Sequence, residues 1–261
     1  MSHYKDKIGY EVVEFLNAKQ FDSHSRRMRQ LGLASFVAMV LFYGIAFGQE
    51  KPVEKAVSTG TIRGKVMYVA DPKRPWRLGR YYIRNAKTGE LAEAVVAITS
   101  RSLKATDHVR EVETLVVDQK DFQFTPETLA IRAGDRVRFL NSDDHTHNVK
   151  TSHTEHSFNV TMPVGSEHIE TFKTATGIKQ PFLIDCVFHS AMRSWIFVFD
   201  HPWFQVTGKD GSFSLEIVPP GEYRLEVVHP AGGLRARQSI QVVAGKAVDV
   251  DVKLMPVGET P

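Results

Sequence analysis

One short segment gathers three residue types that bind soft metal ions. Cys186, His189 and Met192 are separated from one another by two residues each, and apolar stretches flank them on both sides. A further histidine, His147, stands upstream. Two imidazoles, a thiolate and a thioether form the ligand set of electron-transfer copper sites, because the sulfur ligands favour Cu(I) while the imidazoles also suit Cu(II). These four residues predict one type 1 (blue) copper site.

Other histidines offer alternatives to this assignment. His145 competes with His147 for the upstream position, but two preceding aspartates favour a solvated loop for its side chain, so it is kept as the alternative ligand. His153 and His156 have the spacing of a metal-binding pair, although surface histidines often show that spacing. Whether these two hold a second metal ion is left open.

The single cysteine limits the redox chemistry of the chain. Cys186 has no second cysteine with which to form an internal disulfide. A lone thiol is a liability in an oxidising compartment unless it is buried or bound to metal. No Ser-His-Asp arrangement or carboxylate pair suited to hydrolysis stands out, so we expect no catalytic residues and a protein that is not an enzyme.

Residues 1–48 have the features of a targeting segment. A basic cluster at residues 25–29 precedes an uncharged apolar run over residues 31–48, which ends with the small residues Ala46 and Gly48. This order predicts a secretory signal peptide. If the run is retained, it is just long enough to span a bilayer as an anchor helix. Both alternatives predict a periplasmic or otherwise extracytoplasmic protein.

The remaining sequence predicts an all-β fold. Apolar and polar residues alternate, with strands expected over Thr59 to Tyr68 and Leu91 to Ile98, and seven or eight short strands expected in 112–200. Further strands follow in 201–256. The formal net charge is only +3, and the basic segment 73–84 is interpreted as a solvated loop, so no nucleic-acid partner is expected.

Residues 114–200 resemble the cupredoxin family, and within it plastocyanin and amicyanin, through the C-x-x-H-x-x-M loop and the upstream His-Asn-Val. The resemblance implies a Greek-key β-sandwich that holds one copper ion. It implies the ligands His147, Cys186, His189 and Met192. It also implies that Asn148 ties the two ligand-bearing segments together, and that the partner is another redox protein.

A second resemblance reaches beyond the copper loop. The segments 185–189, 200–204, 210–213 and 219–223 are similar to bacterial methylamine-utilisation-like proteins, which carry a carboxypeptidase regulatory-like (transthyretin-like) β-sandwich. This resemblance implies that two separate stretches, 59–106 and 201–256, form the first and second parts of that sandwich. The cupredoxin domain, 112–200, would then be inserted in the second sandwich, or would lie adjacent to it in a series of modules.

Two functional hypotheses follow. The first is an exported blue copper protein that transfers single electrons between redox partners. The alternative is a copper-binding or scaffold protein whose β-sandwich docks a partner or a carbohydrate without redox turnover. The redox partner is unidentified in either case, and the N-terminal run is a possible membrane anchor.

Overall fold

The computed structural model describes residues 58–81, 83, 87–100, 103 and 110–256. Within these residues the secondary structure is almost entirely β, and they all belong to one compact unit that spans residues 54–261. The predicted signal peptide or anchor within residues 1–48 lies outside them. No helix in the described part of the chain has the length and apolar character needed to cross a membrane.

The strands are numbered along the chain. They are β1 (Gly60–Tyr68), β2 (Val95–Thr99), β3 (Thr114–Lys120), β4 (Gln123–Thr125), β5 (Thr128–Arg132), β6 (Arg136–Asn141), β7 (His147–His153), β8 (His156–Met162), β9 (Glu167–Thr171), β10 (Phe182–Asp185), β11 (Arg193–Phe199), β12 (Phe204–Val206), β13 (Ser212–Val218), β14 (Gly221–His229), β15 (Leu234–Val242), β16 (Ala247–Asp249) and β17 (Val252–Leu254). A short helix, α1 (Trp76–Arg80), follows β1, and a 3₁₀ turn (Pro230–Gly232) follows β14.

Strands β3 to β11 build the sandwich that carries the candidate ligands. One sheet has the order β4-β3-β6-β9 and the other has the order β5-β11-β10-β7-β8. Inward-facing residues that alternate along the strands, such as Val137 and Phe139 on β6, fill the space between the sheets and are fully buried. This region holds nine strands because the three-residue β4 returns directly alongside β3.

Strands β1, β2 and β12 to β17 build a second sandwich. Its sheets have the orders β13-β1-β16, with β17 also paired to β1, and β12-β2-β14-β15. Gly211 lies in the expected hairpin turn before β13 and has a φ of +73°. A Cβ atom at this position would lie 2.5 Å from the carbonyl oxygen of Val66, so both the backbone conformation and the close approach require glycine.

The two sandwiches share a packed apolar layer. Val95 and Ala97 of β2 point away from the core of the second sandwich. They contact a cluster that includes Ile178, Phe197 and Phe199. All five residues are at most 4% exposed. Strands β2 and β11 are therefore covered on both faces, which accounts for their nearly continuous apolar sequences.

The second strand is shorter than its sequence predicts. It begins at Val95 instead of Leu91, because Glu93 adopts a φ of +57° and turns the chain between the two residues. Leu91 stays fully buried and its N–H donates a 3.0 Å hydrogen bond to the carbonyl of Val66. Burial of this residue, which the alternating pattern indicated, is thus achieved without strand geometry.

Candidate metal centre

The C-x-x-H-x-x-M segment forms a tight loop between β10 and β11. The N–H of Met192 donates to the carbonyl of His189 at 2.9 Å, and the N–H of Cys186 donates to the carbonyl of Met192 at 3.4 Å. Cys186 and Met192 are 3% and 1% exposed and belong to the same core cluster. The chain's own hydrogen bonds therefore fix the loop that carries three of the four predicted ligands.

His147 reaches the same place from the first position of β7. Its side chain is fully buried, and its Nδ1 lies 3.0 Å from Nδ1 of His189. Nδ1 of His189 lies 3.7 Å from Sγ of Cys186, and the three donor atoms are all within 4.8 Å of one another. The structure thus brings together His147, Cys186 and His189 from two elements that are distant in sequence.

The spacing of these donors matches the dimensions of a single metal ion. First-row metals such as zinc bind imidazole nitrogen at about 2.0 Å and thiolate sulfur at about 2.3 Å. Three such donors spread evenly around an ion stand about 3.5 to 3.8 Å apart. The observed separations of 3.0 and 3.7 Å are close to these values, so the group could bind one copper ion.

His145, the alternative ligand, lies in a different environment. Its side chain is 55% exposed, and its Nδ1 forms a short hydrogen bond with the carboxylate of Asp144. Together with Asp143 and Asp144 it forms a second group of potential donors, separate from the one that contains Cys186. The geometry therefore favours His147 as the upstream member of the cysteine-containing group.

Asn148 connects the two segments that carry the donors. Its Oδ1 accepts a 3.3 Å hydrogen bond from the N–H of Val187, which follows Cys186 in the loop. Its Nδ2 donates to the carbonyl of Val160 at 3.0 Å and also bonds Oδ1 of Asn159, both on β8. The amide thus holds the start of β7, the neighbouring strand and the ligand loop in one arrangement.

Two residues at this centre carry no clear signal in the sequence. Asp143 is nearly buried, and its Oδ2 accepts hydrogen bonds from the N–H of Phe122 at 3.0 Å and from Nε2 of His147 at 2.9 Å. These two bonds, with the Phe122 bond contributing most, lower the pKa of Asp143 to about 2. The sequence favours a solvated loop for Asp143 and His145, and only the fold reveals the contact of Asp143 with His147.

Phe122 covers one side of the donor group. It lies in the turn between β3 and β4, where both Asp121 and Phe122 have positive φ values of 53° and 58°. Its ring centre is 4.9 Å from that of His189 and 5.5 Å from that of His147, with nearly perpendicular ring planes. Because the side chain is still 41% exposed, Phe122 forms part of the surface above the site.

The histidine pair considered for a second metal ion occupies a separate place. His153 and His156 face each other across the hairpin between β7 and β8. Nε2 of His156 lies 3.0 Å from the carboxylate of Glu170, which Nε2 of His168 also contacts at 2.7 Å, while Nδ1 of His153 accepts the N–H of Glu155. Within the described residues, neither His153 nor His156 belongs to a group of three converging donors.

Comparison with known proteins supports the copper assignment. Residues 111–189 match the model of the plastocyanin/azurin family of copper binding proteins. None of the curated proteins matches the chain.

Several solved structures are similar to part of the chain. A purple cupredoxin from Nitrosopumilus maritimus is 18% identical, with 32% of this chain and 98% of the other covered and a TM-score of 0.28. Amicyanin from Paracoccus versutus is 22% identical, with 40% and 96% covered and a TM-score of 0.29. A copper-containing nitrite reductase from Thermus scotoductus is 20% identical, with 40% and 25% covered and a TM-score of 0.31.

The matched residues include the complete cysteine-containing donor group. His147, Cys186 and His189 all lie within residues 111–189, and Met192 follows shortly after them. The family match and the donor geometry together support a cupredoxin domain of the plastocyanin/azurin family in this part of the chain.

Proposed function

We propose that this protein is an exported one-electron carrier whose type 1 copper is held by His147, Cys186, His189 and Met192. The observation that carries the proposal is the convergence of two imidazole nitrogens and one thiol sulfur from two distant elements. A bound copper ion would supply reversible one-electron exchange between Cu(I) and Cu(II). The surrounding protein excludes water from His147 and Cys186 and holds the ligand loop through its own backbone hydrogen bonds.

His189 offers the route by which an electron leaves the site. It is partly exposed, whereas His147 and Cys186 are buried. Three exposed apolar side chains lie in the β10–β11 loop or beside it, since Val187 and Phe188 neighbour His189 in the chain and the ring of Phe122 contacts it. Phe122, Val187 and Phe188 are exposed by 41%, 52% and 55%. An apolar surface beside an exposed ligand suits brief docking of another redox protein, which is the class of partner we propose. We accordingly propose a carrier and not an enzyme.

Export is proposed from the sequence alone. The apolar run 31–48 behind a basic cluster is the pattern of a signal peptide or an anchor. The lone Cys186, bound to metal, would be compatible with an oxidising compartment. We therefore propose a periplasmic or otherwise extracytoplasmic location for residues 49–261.

We also propose that the copper domain, residues 112–200, is inserted into the second sandwich. Strand pairing supports this arrangement, since β1 pairs with β13, β16 and β17, and β2 pairs with β12 and β14. The stretches 59–106 and 201–256 thus contribute to the same sheets. Their assignment as a carboxypeptidase regulatory-like module remains a proposal that rests on the sequence resemblance.

The test of the proposed function is the colour of the copper-loaded protein. Adding Cu(II) to the purified wild type is expected to give the intense thiolate-to-copper absorption of a blue site, and Cys186→Ser is expected to abolish it. His147→Gln is expected to abolish it as well, while the matched control His145→Gln is expected to retain it. A colourless wild-type complex would refute the blue copper assignment. If only His145→Gln loses the colour, the copper ligand is His145 and not His147.

The alternative is a copper-binding or scaffold protein that docks a partner or carbohydrate without redox turnover. A cleft of about 1130 Å³ provides a place for such a ligand, with Thr99, Ile178 and Tyr223 among the residues that line it. Voltammetry of the copper-loaded protein separates the two functions. A carrier is expected to show a reversible one-electron wave, whereas a storage or scaffold site without that wave would favour the alternative.

A further inference from the structure

Asp143 is a carboxylate held in place beside a candidate copper ligand. Its side chain is only 9% exposed, and four hydrogen bonds fix the residue. Oδ2 accepts from Nε2 of His147 and from the N–H of Phe122, Oδ1 accepts from the N–H of Asp144, and its own N–H donates to Oδ1 of Asn141. This set leaves the carboxylate one orientation, with Oδ2 directed at the imidazole.

The contact determines which nitrogen of His147 carries the proton. A carboxylate oxygen only accepts hydrogen bonds, so Nε2 of His147 must be the protonated nitrogen of the neutral ring. Nδ1 is then unprotonated, and it is the nitrogen that faces His189 and the cysteine-containing group. Asp143 therefore selects the tautomer of His147 that can bind a metal ion through Nδ1.

The contact also brings a negative charge to the far side of the imidazole. A carboxylate that accepts a hydrogen bond from a metal-binding histidine raises the basicity of that ligand. A more basic ligand beside a fixed negative charge stabilises the more highly charged state of an ion bound on the other side of the ring. Cu(II) gains more from this arrangement than Cu(I), which shifts the equilibrium between the two oxidation states.

We propose that Asp143 is a positioning residue that fixes the tautomer of His147 and lowers the reduction potential of the copper site through its charge. This inference rests on the proposed function, because it assumes that His147 is a copper ligand. A purely structural role for Asp143 would instead consist of holding the Phe122 turn against the site. The two roles can be distinguished because only the first requires a negative charge. A neutral side chain that keeps the accepting oxygen would preserve the structural role and remove the effect on the potential.

Three substitutions separate the negative charge of Asp143 from its role as a hydrogen-bond acceptor. Asp143→Asn keeps an oxygen that can accept from both His147 and Phe122 but removes the charge. Asp144→Asn is the matched control, because it removes a neighbouring carboxylate that is 84% exposed and bonds His145 instead of a member of the donor group. Asp143→Glu retains the charge and serves as the conservative variant.

The experiment measures the reduction potential of the copper-loaded proteins by voltammetry at pH 7 and fixed ionic strength. In Asp143→Asn the ratio of Cu(II) to Cu(I) affinity is expected to fall by about tenfold or more. A tenfold change raises the potential of a one-electron couple by about 59 mV. Asp144→Asn is expected to shift the reduction potential by less than a third of that amount. The potential of Asp143→Glu is expected to lie closer to that of the wild type than the potential of Asp143→Asn does. Equal shifts in the two asparagine variants, or none in Asp143→Asn, would overturn the proposal.

A second measurement does not depend on copper or on the folding of any variant. Nitrogen-15 NMR of the metal-free wild type reports the protonated nitrogen of His147, and Nε2 is expected to carry the proton. A proton on Nδ1 would overturn the proposal. The proposed function fails separately, through a colourless Cu(II) complex, whereas a blue protein with an unchanged potential in Asp143→Asn refutes only the role of Asp143.

Discussion

Acidification from pH 7 to pH 5 is expected to destabilise the protein through one buried histidine. His229 ends β14 in the second sandwich, is 2% exposed, and its Nδ1 has no hydrogen-bond partner among the described residues. Its ring packs edge-on against Tyr81, which is also buried. Because burial disfavours the charged imidazolium, the pKa of His229 falls from its ordinary value of 6.5 to about 4.

The direction and size of the effect follow from these two pKa values. Between pH 6.5 and pH 4 the unfolded chain binds a proton at His229 that the folded protein does not bind, so the free energy of unfolding decreases as the pH falls. The full difference between the two pKa values of His229 corresponds to about 3 kcal/mol in the free energy of unfolding. About 2 kcal/mol of this stabilisation is lost between pH 7 and pH 5. The contribution is fully present above pH 7.

Urea unfolding of the copper-free protein tests this prediction. The wild type and His229→Phe, which keeps a planar ring next to Tyr81, are each unfolded at pH 7 and pH 5. Other titrating groups are common to both proteins and cancel in the comparison. The wild type is expected to lose about 2 kcal/mol more than the variant. Equal losses in the two proteins would refute the assignment of a depressed pKa to His229.

Two further predictions concern packing. Phe199→Ala removes a buried ring from the layer between the sandwiches. In urea titrations it is expected to lower the free energy of unfolding by about 3 to 5 kcal/mol. A loss below about 1 kcal/mol would contradict the packing described for that layer. A Cβ at Gly64 would lie 1.8 Å from the carbonyl oxygen of Val250, so Gly64→Ala is expected to cost about 1 to 3 kcal/mol and to lower the melting temperature. Gly79→Ala is the control, since nothing lies within 4 Å of the added carbon; equal melting temperatures for the two variants would contradict the clash.

The C-x-x-H-x-x-M loop is predictable from the sequence because its information is local. Cys186, His189 and Met192 lie within one turn of chain, and the apolar strands on both sides place that turn at the end of a sandwich. The sequence alone distinguishes His147 from His145 less sharply, since both follow the same aspartates. The distinction depends on where β7 begins, because the first residue of the strand points into the core and the loop residue does not.

The contacts of Asp143 and Phe122 could not be derived in this way. They join the β3–β4 turn to the loop after β6, and such a meeting depends on how β3 and β6 pair in parallel. A pattern of alternating residues defines which face of a strand is buried but not which loops meet at the end of a sheet. The same limit applies to β2, where the all-β prediction is correct but Glu93 delays the strand by a backbone turn that no composition rule indicates.

The layer that contains Phe197 and Phe199 has a consequence for the solubility of the chain. Residues that lie on the outer face of a free-standing sandwich normally meet water and are polar. Here two phenylalanines of β11 stand on that face and are shielded by β2 and its neighbours. A segment reduced to residues 112–200 would lack β2, would expose both rings as an apolar surface patch and would tend to self-associate. A copper domain that lacked the second sandwich would need hydrophilic side chains at those two positions.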